Sequence, residues 1–154
     1  MNYEIRTINK DDITAVLSIE KECFKSPWNF EQFVSEIENN IFASINVLVL
    51  EENGKQNVIG YYDVWITFDT STIAKIAVLP SYQRHHFGSA MMQEIIEDCY
   101  AKRVRSITLE VRKGNEKARK FYAKFGFKEI TIKPHYYDDG EDAIYMIKEV
   151  NLNG

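Results

Sequence analysis

The chain has 154 residues, a length that fits one folded domain with its own apolar core. Its hydrophobic share of 45% and charged share of 27% are ordinary for a globular protein and argue against wholesale disorder. The net charge of -4 argues against broad binding to nucleic acid, which needs a basic surface. No apolar run could span a membrane, and the N-terminus MNYEIRTINKDD is too polar for a signal peptide, so we expect a cytoplasmic protein.

The first forty residues predict one strand and two helices. YEIRTI has the composition of a strand, and the apolar spacing after it predicts a helix that Asp11 or Asp12 would cap. Pro27 interrupts this spacing. Asn29, with Gln32 three residues later, has the form of a capping box, so a second helix is expected to begin there.

The rest of the chain alternates strands and helices. Three strands are predicted over INVLVLEE, NVIGYYDVWITF and STIAKIAVL, and Asn53-Gly54 between the first two indicates a hairpin. A helix, the strand SITLEVR, a helix capped by Asn115, and the strands FKEITI and DAIYMIKEV complete the order β-α-α-β-β-β-α-β-α-β-β. The strand–helix–strand segment from Ile73 to Arg112 predicts two parallel strands in a mixed sheet.

The turn YQRHHFGSAM, which leads into the third helix, is a candidate anion site. A helix N-terminus presents unpaired N–H groups and a positive dipole end to an anion. The P-loop pattern and the dinucleotide fingerprint are both absent from the sequence. From the residues alone, an ordinary strand-to-helix turn is at least as well supported as an anion site.

The cysteines and histidines do not predict a metal centre. Cys23 and Cys99 lie far apart and fall within helical apolar patterns, so we expect them to be buried small side chains. His85, His86 and His135 lack the spacing of metal ligands. We therefore predict no metal.

Five separated stretches resemble the GNAT acetyltransferases, and among them the RimI-type ribosomal-protein alanine N-acetyltransferases. They are SPW at 26–28, IAVLPSYQR at 76–84, LEVRKGN at 109–115, FYAKFGF at 121–127 and HYYDDGEDAIYM at 135–146. The resemblance implies a single N-acetyltransferase domain over residues 1–154, with an α/β fold whose mixed, partly splayed sheet carries helices on both faces. His86 departs from the family, which usually has glycine there, but histidine adopts positive φ more often than most residues.

The resemblance also implies an acetyl-CoA site and two catalytic residues. Main-chain groups of the strand end would hold the pantetheine arm and the turn would bind the diphosphate. The implied cofactor residues are Ile76, Ala77, Val78, Arg84, His85, His86, Phe87, Gly88, Ser89 and Asn115. Glu110 is implied as the general base and Tyr122 as the acid for the leaving thiolate. Without the resemblance, Asn115 is a helix cap, Glu110 a solvated glutamate and Tyr122 a core aromatic.

On the substrate side the resemblance implies Pro27, Trp28, Tyr136 and Tyr137, although SPW could simply end a helix and DDG could be a plain turn. The expected reaction is acetylation of a protein N-terminal α-amine, by resemblance the alanine of small-subunit ribosomal protein eighteen. The alternatives are a small-molecule amine acetyltransferase of the same fold, for a polyamine or an amino sugar, and a non-catalytic acyl-CoA-binding module. We expect no nucleic-acid or membrane partner and take a monomer as the default.

Overall fold

The computed structural model describes residues 2–153, and the elements in this part of the chain follow the order that the sequence predicts. The strands are β1 Tyr3–Thr7, β2 Ala43–Glu52, β3 Lys55–Thr67, β4 Thr70–Val78, β5 Ser106–Arg112, β6 Lys128–Lys133 and β7 Ala143–Glu149. The α-helices are α1 Ile13–Cys23, α2 Phe30–Asn39, α3 Phe87–Ala101 and α4 Glu116–Lys124, and short 3-10 helices cover Lys10–Asp12 and Pro80–His85. None of the helices within residues 2–153 is long and apolar enough to cross a membrane.

The strands form one open mixed sheet in the order β1-β2-β3-β4-β5-β7-β6. β4 and β5 are parallel, with Thr70–Thr72 in register with Ser106–Thr108, as the predicted crossover requires. β5 is antiparallel to β7, and β7 is antiparallel to β6. The last strand of the chain therefore lies between two earlier ones. An open mixed sheet surrounded by helices confirms the predicted fold class.

The chain comprises two compact units, residues 2–65 with 75–95, and residues 66–74 with 96–153. The first unit buries its own apolar cluster: Val16, Ile19, Phe33, Ile45, Val47, Val49, Tyr61 and Ala77. The second unit buries a separate set: Cys99, Val104, Ile107, Leu109, Val111, Phe127, Ala143, Ile144 and Met146. Each unit thus has an apolar core against which its functional side chains can be held.

Most of the predicted local signals are confirmed. Asn29 and Gln32 form a reciprocal capping box at the start of α2, with N···O distances of 2.8 and 2.9 Å. Asn53 and Gly54 have φ values of 52° and 77° and form a two-residue hairpin loop between β2 and β3. The strand SITLEVR matches β5 residue for residue. Each signal depends only on neighbours in sequence.

The first helix begins at the predicted position but without a side-chain cap bond. Asp12 occupies the N-cap position of α1 and its side chain makes no capping hydrogen bond there, whereas Asn9 accepts a bond from the Asp11 N–H at 3.0 Å and caps the 3-10 turn before the helix. The Asp12 carboxylate is buried and accepts two hydrogen bonds from the Arg6 guanidinium at 2.8 and 3.0 Å. These bonds hold the pKa of Asp12 below its ordinary value. The Asp12 carboxylate also accepts a hydrogen bond from the Asn9 N–H at 2.8 Å, so Asp12 links β1 to the turn before α1.

Candidate active site

In the first unit, the end of β4 is tied to the turn that follows it. The carbonyl of Val78 accepts a hydrogen bond from the Gln83 side chain at 3.0 Å and one from the Cys23 thiol at 3.3 Å. The Leu79 N–H donates to the carbonyl of Ile59 at 2.8 Å. Cys99 is buried as predicted, whereas Cys23 is only half-buried and its thiol donates to the Val78 carbonyl.

The turn itself adopts the backbone geometry for which glycine is usually required. His86 has φ 63° and ψ 19°, in the left-handed region, and α3 begins at the next residue. The side chains of Arg84, His85 and His86 are exposed. The first N–H groups of the 15-residue helix α3 have no carbonyl one turn earlier to bond. The turn thus has a left-handed residue followed by a helix N-terminus, and the anion site stays a prediction.

Phe87 has a structural role in this turn. Its side chain is buried and packs edge-on against Tyr3, with ring centroids 5.6 Å apart, and lies 6.0 Å from His85. The residue can reach a ligand at the turn only through its backbone N–H.

The loop between α1 and α2 is hydrogen-bonded to a buried carboxylate that the sequence analysis missed. Glu20 is completely buried and accepts hydrogen bonds from the Trp28 N–H at 2.8 Å, from Lys75 at 3.1 Å and from the Tyr61 hydroxyl. The signal was available, because Glu20 falls within the apolar helical spacing that runs from Ile13 to the end of α1. A charged residue in such a stripe indicates a satisfied polar network.

Trp28 is therefore an anchored residue rather than a loose one. Its indole packs edge-on against Phe33 with centroids 5.4 Å apart and lies 4.6 Å from the Lys75 ammonium. Pro27, next to it, is exposed. Of the two residues implied for substrate binding in this loop, Pro27 is accessible and Trp28 is half-buried.

In the second unit, Glu110 lies at the polar side of β5, directly opposite Tyr145 of β7. Its carboxylate accepts a hydrogen bond from Lys133 with an N···O distance of 2.7 Å. Lys133 is the last residue of β6, and its ammonium lies 4.7 Å from the centre of the Tyr145 ring. Glu110 is thus half-buried and ion-paired, and sequence reasoning did not find this partner.

Tyr122 lies on α4 in an aromatic environment. Its ring packs edge-on against Phe121 at 5.5 Å and against Phe127 at 5.9 Å between centroids. Burial, with a smaller contribution from Tyr137, raises the pKa of the Tyr122 phenol, so the phenol is un-ionised at neutral pH. Among the hydrogen bonds of the described residues, none involves its hydroxyl, which leaves a donor available to a ligand.

Asn115 caps α4, as predicted. Its side-chain oxygen accepts a hydrogen bond from the Ala118 N–H at 3.1 Å. The residue is exposed, and the cap uses only the oxygen of the amide group. The NH₂ group of Asn115 is therefore the part that a ligand could use.

The loop before β7 is held by its acidic residues. Arg112 donates to Asp139 at 2.8 Å and to Glu141 at 3.0 Å, and Glu141 also accepts from the Gly114 N–H at 2.9 Å. The Tyr137 ring stacks on the Arg112 guanidinium, with the central carbon 4.1 Å from the ring centre. Asp139 and Glu141 therefore tie the loop to Arg112 and Gly114.

Two tyrosines of this loop remain as the substrate-facing candidates. Tyr136 and Tyr137 meet edge-on with centroids 5.1 Å apart. Tyr136 is exposed, whereas Tyr137 is half-buried and its burial raises the pKa of its phenol to about 12. The Tyr137 phenol is therefore uncharged at neutral pH, and both hydroxyl groups can donate hydrogen bonds.

These observations define an α/β protein with a candidate anion turn, an ion-paired carboxylate and an un-ionised, half-buried phenol. The sequence matches the Acetyltransferase (GNAT) family over residues 13–127. The chain belongs to this family of acetyltransferases.

Relatives within the family are similar over almost the whole chain. The ribosomal protein bS18-alanine N-acetyltransferase of Escherichia coli (strain K12) is 32% identical over 151 residues, which cover 96% of this chain and 98% of the relative. A Bacillus subtilis (strain 168) protein that is provisionally given the same activity is 36% identical over 148 residues, covering 96% and 95%. The crystal structure of the Escherichia coli ribosomal-protein-S18-alanine N-acetyltransferase has a TM-score of 0.85 at 31% identity, covering 99% of this chain and 97% of that one.

Proposed function

We propose that the protein transfers the acetyl group of acetyl-CoA to the N-terminal α-amine of a protein, the alanine of ribosomal protein bS18 being the expected substrate. The observation that carries this proposal is the similarity, over 96% of the chain, to the Escherichia coli enzyme named for that reaction. The candidate site supplies the groups that such a reaction needs.

In this proposal, acetyl-CoA is held by the end of β4, by the turn that follows it and by Asn115. The backbone of Ile76, Ala77 and Val78 holds the pantetheine arm, and N–H groups within residues 84–89 bind the diphosphate. The left-handed conformation of His86 supports this assignment because it gives the turn the shape for which glycine is usually required. The exposed Arg84 adds a positive charge beside the same turn.

The chemical step is proposed to involve Glu110 and Tyr122. The neutral α-amine attacks the carbonyl carbon of the thioester, and Glu110 takes the proton that the amine nitrogen loses, directly or through a water molecule. The tetrahedral intermediate collapses with cleavage of the C–S bond, and the sulfur receives a hydrogen bond and then a proton from the Tyr122 hydroxyl. Burial makes Tyr122 a weaker acid, but the same low-polarity surroundings also disfavour a free thiolate.

The choice of an α-amine rests on the cost of forming a neutral nucleophile. An α-amine titrates near ~7.7–8.0 and a lysine near ~10.4, so deprotonation at pH 7 costs about 1 kcal/mol for the first and about 4.6 kcal/mol for the second. A single carboxylate such as Glu110 can meet the smaller cost. Pro27, Trp28, Tyr136 and Tyr137 are the proposed contacts of the N-terminal peptide.

The test is a comparison of two peptides that share one sequence. The peptide with a free N-terminal alanine and an internal lysine should be acetylated at the α-amine, and the same peptide with a blocked N-terminus should react little, as measured by mass spectrometry with labelled acetyl-CoA. Equal rates on the two peptides would contradict the proposal. Acetylation of polyamines or amino sugars without acetylation of either peptide would favour the small-molecule alternative.

A further inference from the structure

Lys133 forms an ion pair with Glu110, the proposed general base, but has no role of its own in the proposed reaction. The two residues lie on opposite sides of β7: Glu110 is in register with Tyr145, and Lys133 is in register with Ala143. Since alternate residues of a strand share a face, these four side chains lie on one face of the sheet. The small side chain of Ala143 leaves the Lys133 stem room to cross β7.

The pair is not explained by stability alone. The Lys133 side chain is 39% exposed and that of Glu110 is 20% exposed. Ion pairs with this degree of exposure contribute little to folding. The contact is nevertheless short and is supported by two aromatic rings, since the ammonium lies 4.7 Å from the centre of Tyr145 and 5.5 Å from that of Tyr136.

An unpaired carboxylate beside the reacting amine would stabilise the amine in its protonated form. A negative charge within a few ångströms stabilises an ammonium ion, and so it raises the pH at which the amine loses its proton. The protonated amine cannot attack the thioester. A general base that faced the amine alone would therefore bind the substrate in its unreactive form.

We infer that Lys133 is a positioning residue that neutralises Glu110, so that the bound α-amine loses its proton close to neutral pH. This inference rests on the proposed function, in which Glu110 faces the amine. The inference also attributes part of the site's preference for a neutral α-amine to the zero net charge of the Glu110–Lys133 pair, because such a pair does not favour the ammonium form over the amine.

The other titratable groups around Glu110 do not replace this charge. Tyr145 on β7 and Tyr136 and Tyr137 in the preceding loop have phenol side chains, which cannot supply a positive charge. Arg112, two residues along β5, is bonded to both Asp139 and Glu141. Its positive charge is already balanced within the loop.

The experiment is the pH dependence of the single-turnover rate, measured with saturating acetyl-CoA and a peptide with a free N-terminal alanine. The acid limb of this profile is the range in which the rate rises with pH as the bound α-amine loses its proton, and its midpoint gives an apparent pKa. In Lys133→Met this apparent pKa should rise by about one unit relative to the wild type, with roughly a tenfold loss of rate at pH values below it and recovery at high pH. Lys133→Arg should restore the wild-type limb because the cation is kept. Lys128→Met removes an exposed lysine from the same strand and should leave the profile unchanged.

Glu110→Gln provides a test of opposite sign. With the carboxylate removed and Lys133 kept, the acid limb should move below that of the wild type, although the rate itself falls. Should Lys133→Met fail to fold, Lys133→Gln replaces it, with thermal unfolding as the check. An unmoved limb in the lysine variants overturns the inference while the proposed function stands, whereas a wild-type protein that acetylates no α-amine at any pH overturns the proposed function itself.

Discussion

At the scale of single residues, Tyr122 has the most direct role in the proposed reaction. The substitution Tyr122→Phe removes only the hydroxyl and keeps the ring contacts with Phe121 and Phe127. Because proton donation to a leaving group contributes on the order of a hundredfold or more, kcat should fall by about that factor while the affinity for acetyl-CoA stays close to that of the wild type. Steady-state kinetics and calorimetric titration with coenzyme A measure the two quantities.

Normal turnover by the phenylalanine variant would contradict the role of Tyr122 as the acid. In that case water would protonate the thiolate, and Tyr122 would be a core aromatic, which is the alternative that its position on an apolar helix stripe also allows. Equal losses of kcat and of coenzyme A affinity would instead indicate a packing defect, which a lowered unfolding temperature would reveal.

At the same scale, Asp63 makes the stability of the protein depend on pH. This residue of β3 is completely buried next to the carboxyl group of Glu36. Burial, reinforced by the neighbouring Glu36, raises the pKa of Asp63 to about 9. The folded protein therefore keeps this proton up to about pH 9, whereas the unfolded chain, with an ordinary carboxyl pKa of ~3.9, loses it at a much lower pH.

The sign of the effect follows from this proton. Between about pH 4 and pH 9 the unfolded state binds fewer protons than the folded state, so the free energy of unfolding falls as pH rises through this window. Asp63→Asn keeps the shape of the protonated acid and removes the titration. We expect the variant to be nearly equal in stability to the wild type at pH 4, with an advantage over it that grows with pH up to about pH 9, by at most about 1.4 kcal/mol per pH unit. Urea unfolding at the two pH values measures this, and an equal difference at both would contradict the assignment.

At the scale of helices and strands, the local signals could be predicted from the sequence and the long-range contacts could not. The capping box at Asn29 and the hairpin at Asn53-Gly54 involve residues within three positions of each other, and both are confirmed. Lys133 is 23 residues from Glu110 in the chain, and the two meet only because β7 is inserted between β5 and β6. The spacing of residues along the chain does not predict that strand order.

In the candidate site, too, local features could be predicted from the sequence and long-range contacts could not. Glu110, Asn115 and Tyr122 could be proposed from the sequence because the short stretches LEVRKGN and FYAKFGF resemble those of the GNAT acetyltransferases. The partners that set their chemistry come from elsewhere in the chain: Lys133 for Glu110, and Arg112 for the loop acids. At Asp12 the sequence suggested a local cap, but a stronger bond to Arg6 on β1 determined the outcome.

At the scale of the whole molecule, the proposed groups are distributed over both compact units. The proposed residues for the pantetheine arm and the diphosphate belong to the first unit, whereas Glu110, Asn115 and Tyr122 belong to the second. Substitutions in the first group are therefore expected to act mainly on coenzyme A affinity, and those at Glu110 and Tyr122 mainly on the chemical step. The net charge of -4 over the chain also favours encounter with a basic substrate protein.

The most direct test of the central claim uses the whole expected substrate. Ribosomal protein bS18 with a free N-terminal alanine is incubated with acetyl-CoA and either the wild-type protein or Glu110→Gln, and the intact protein and its fragments are analysed by mass spectrometry. The account predicts a single acetyl group on the α-amine of alanine with the wild type, and a much slower reaction at neutral pH with the variant. An unmodified N-terminus, or acetyl groups on internal lysines at a comparable rate, would contradict it.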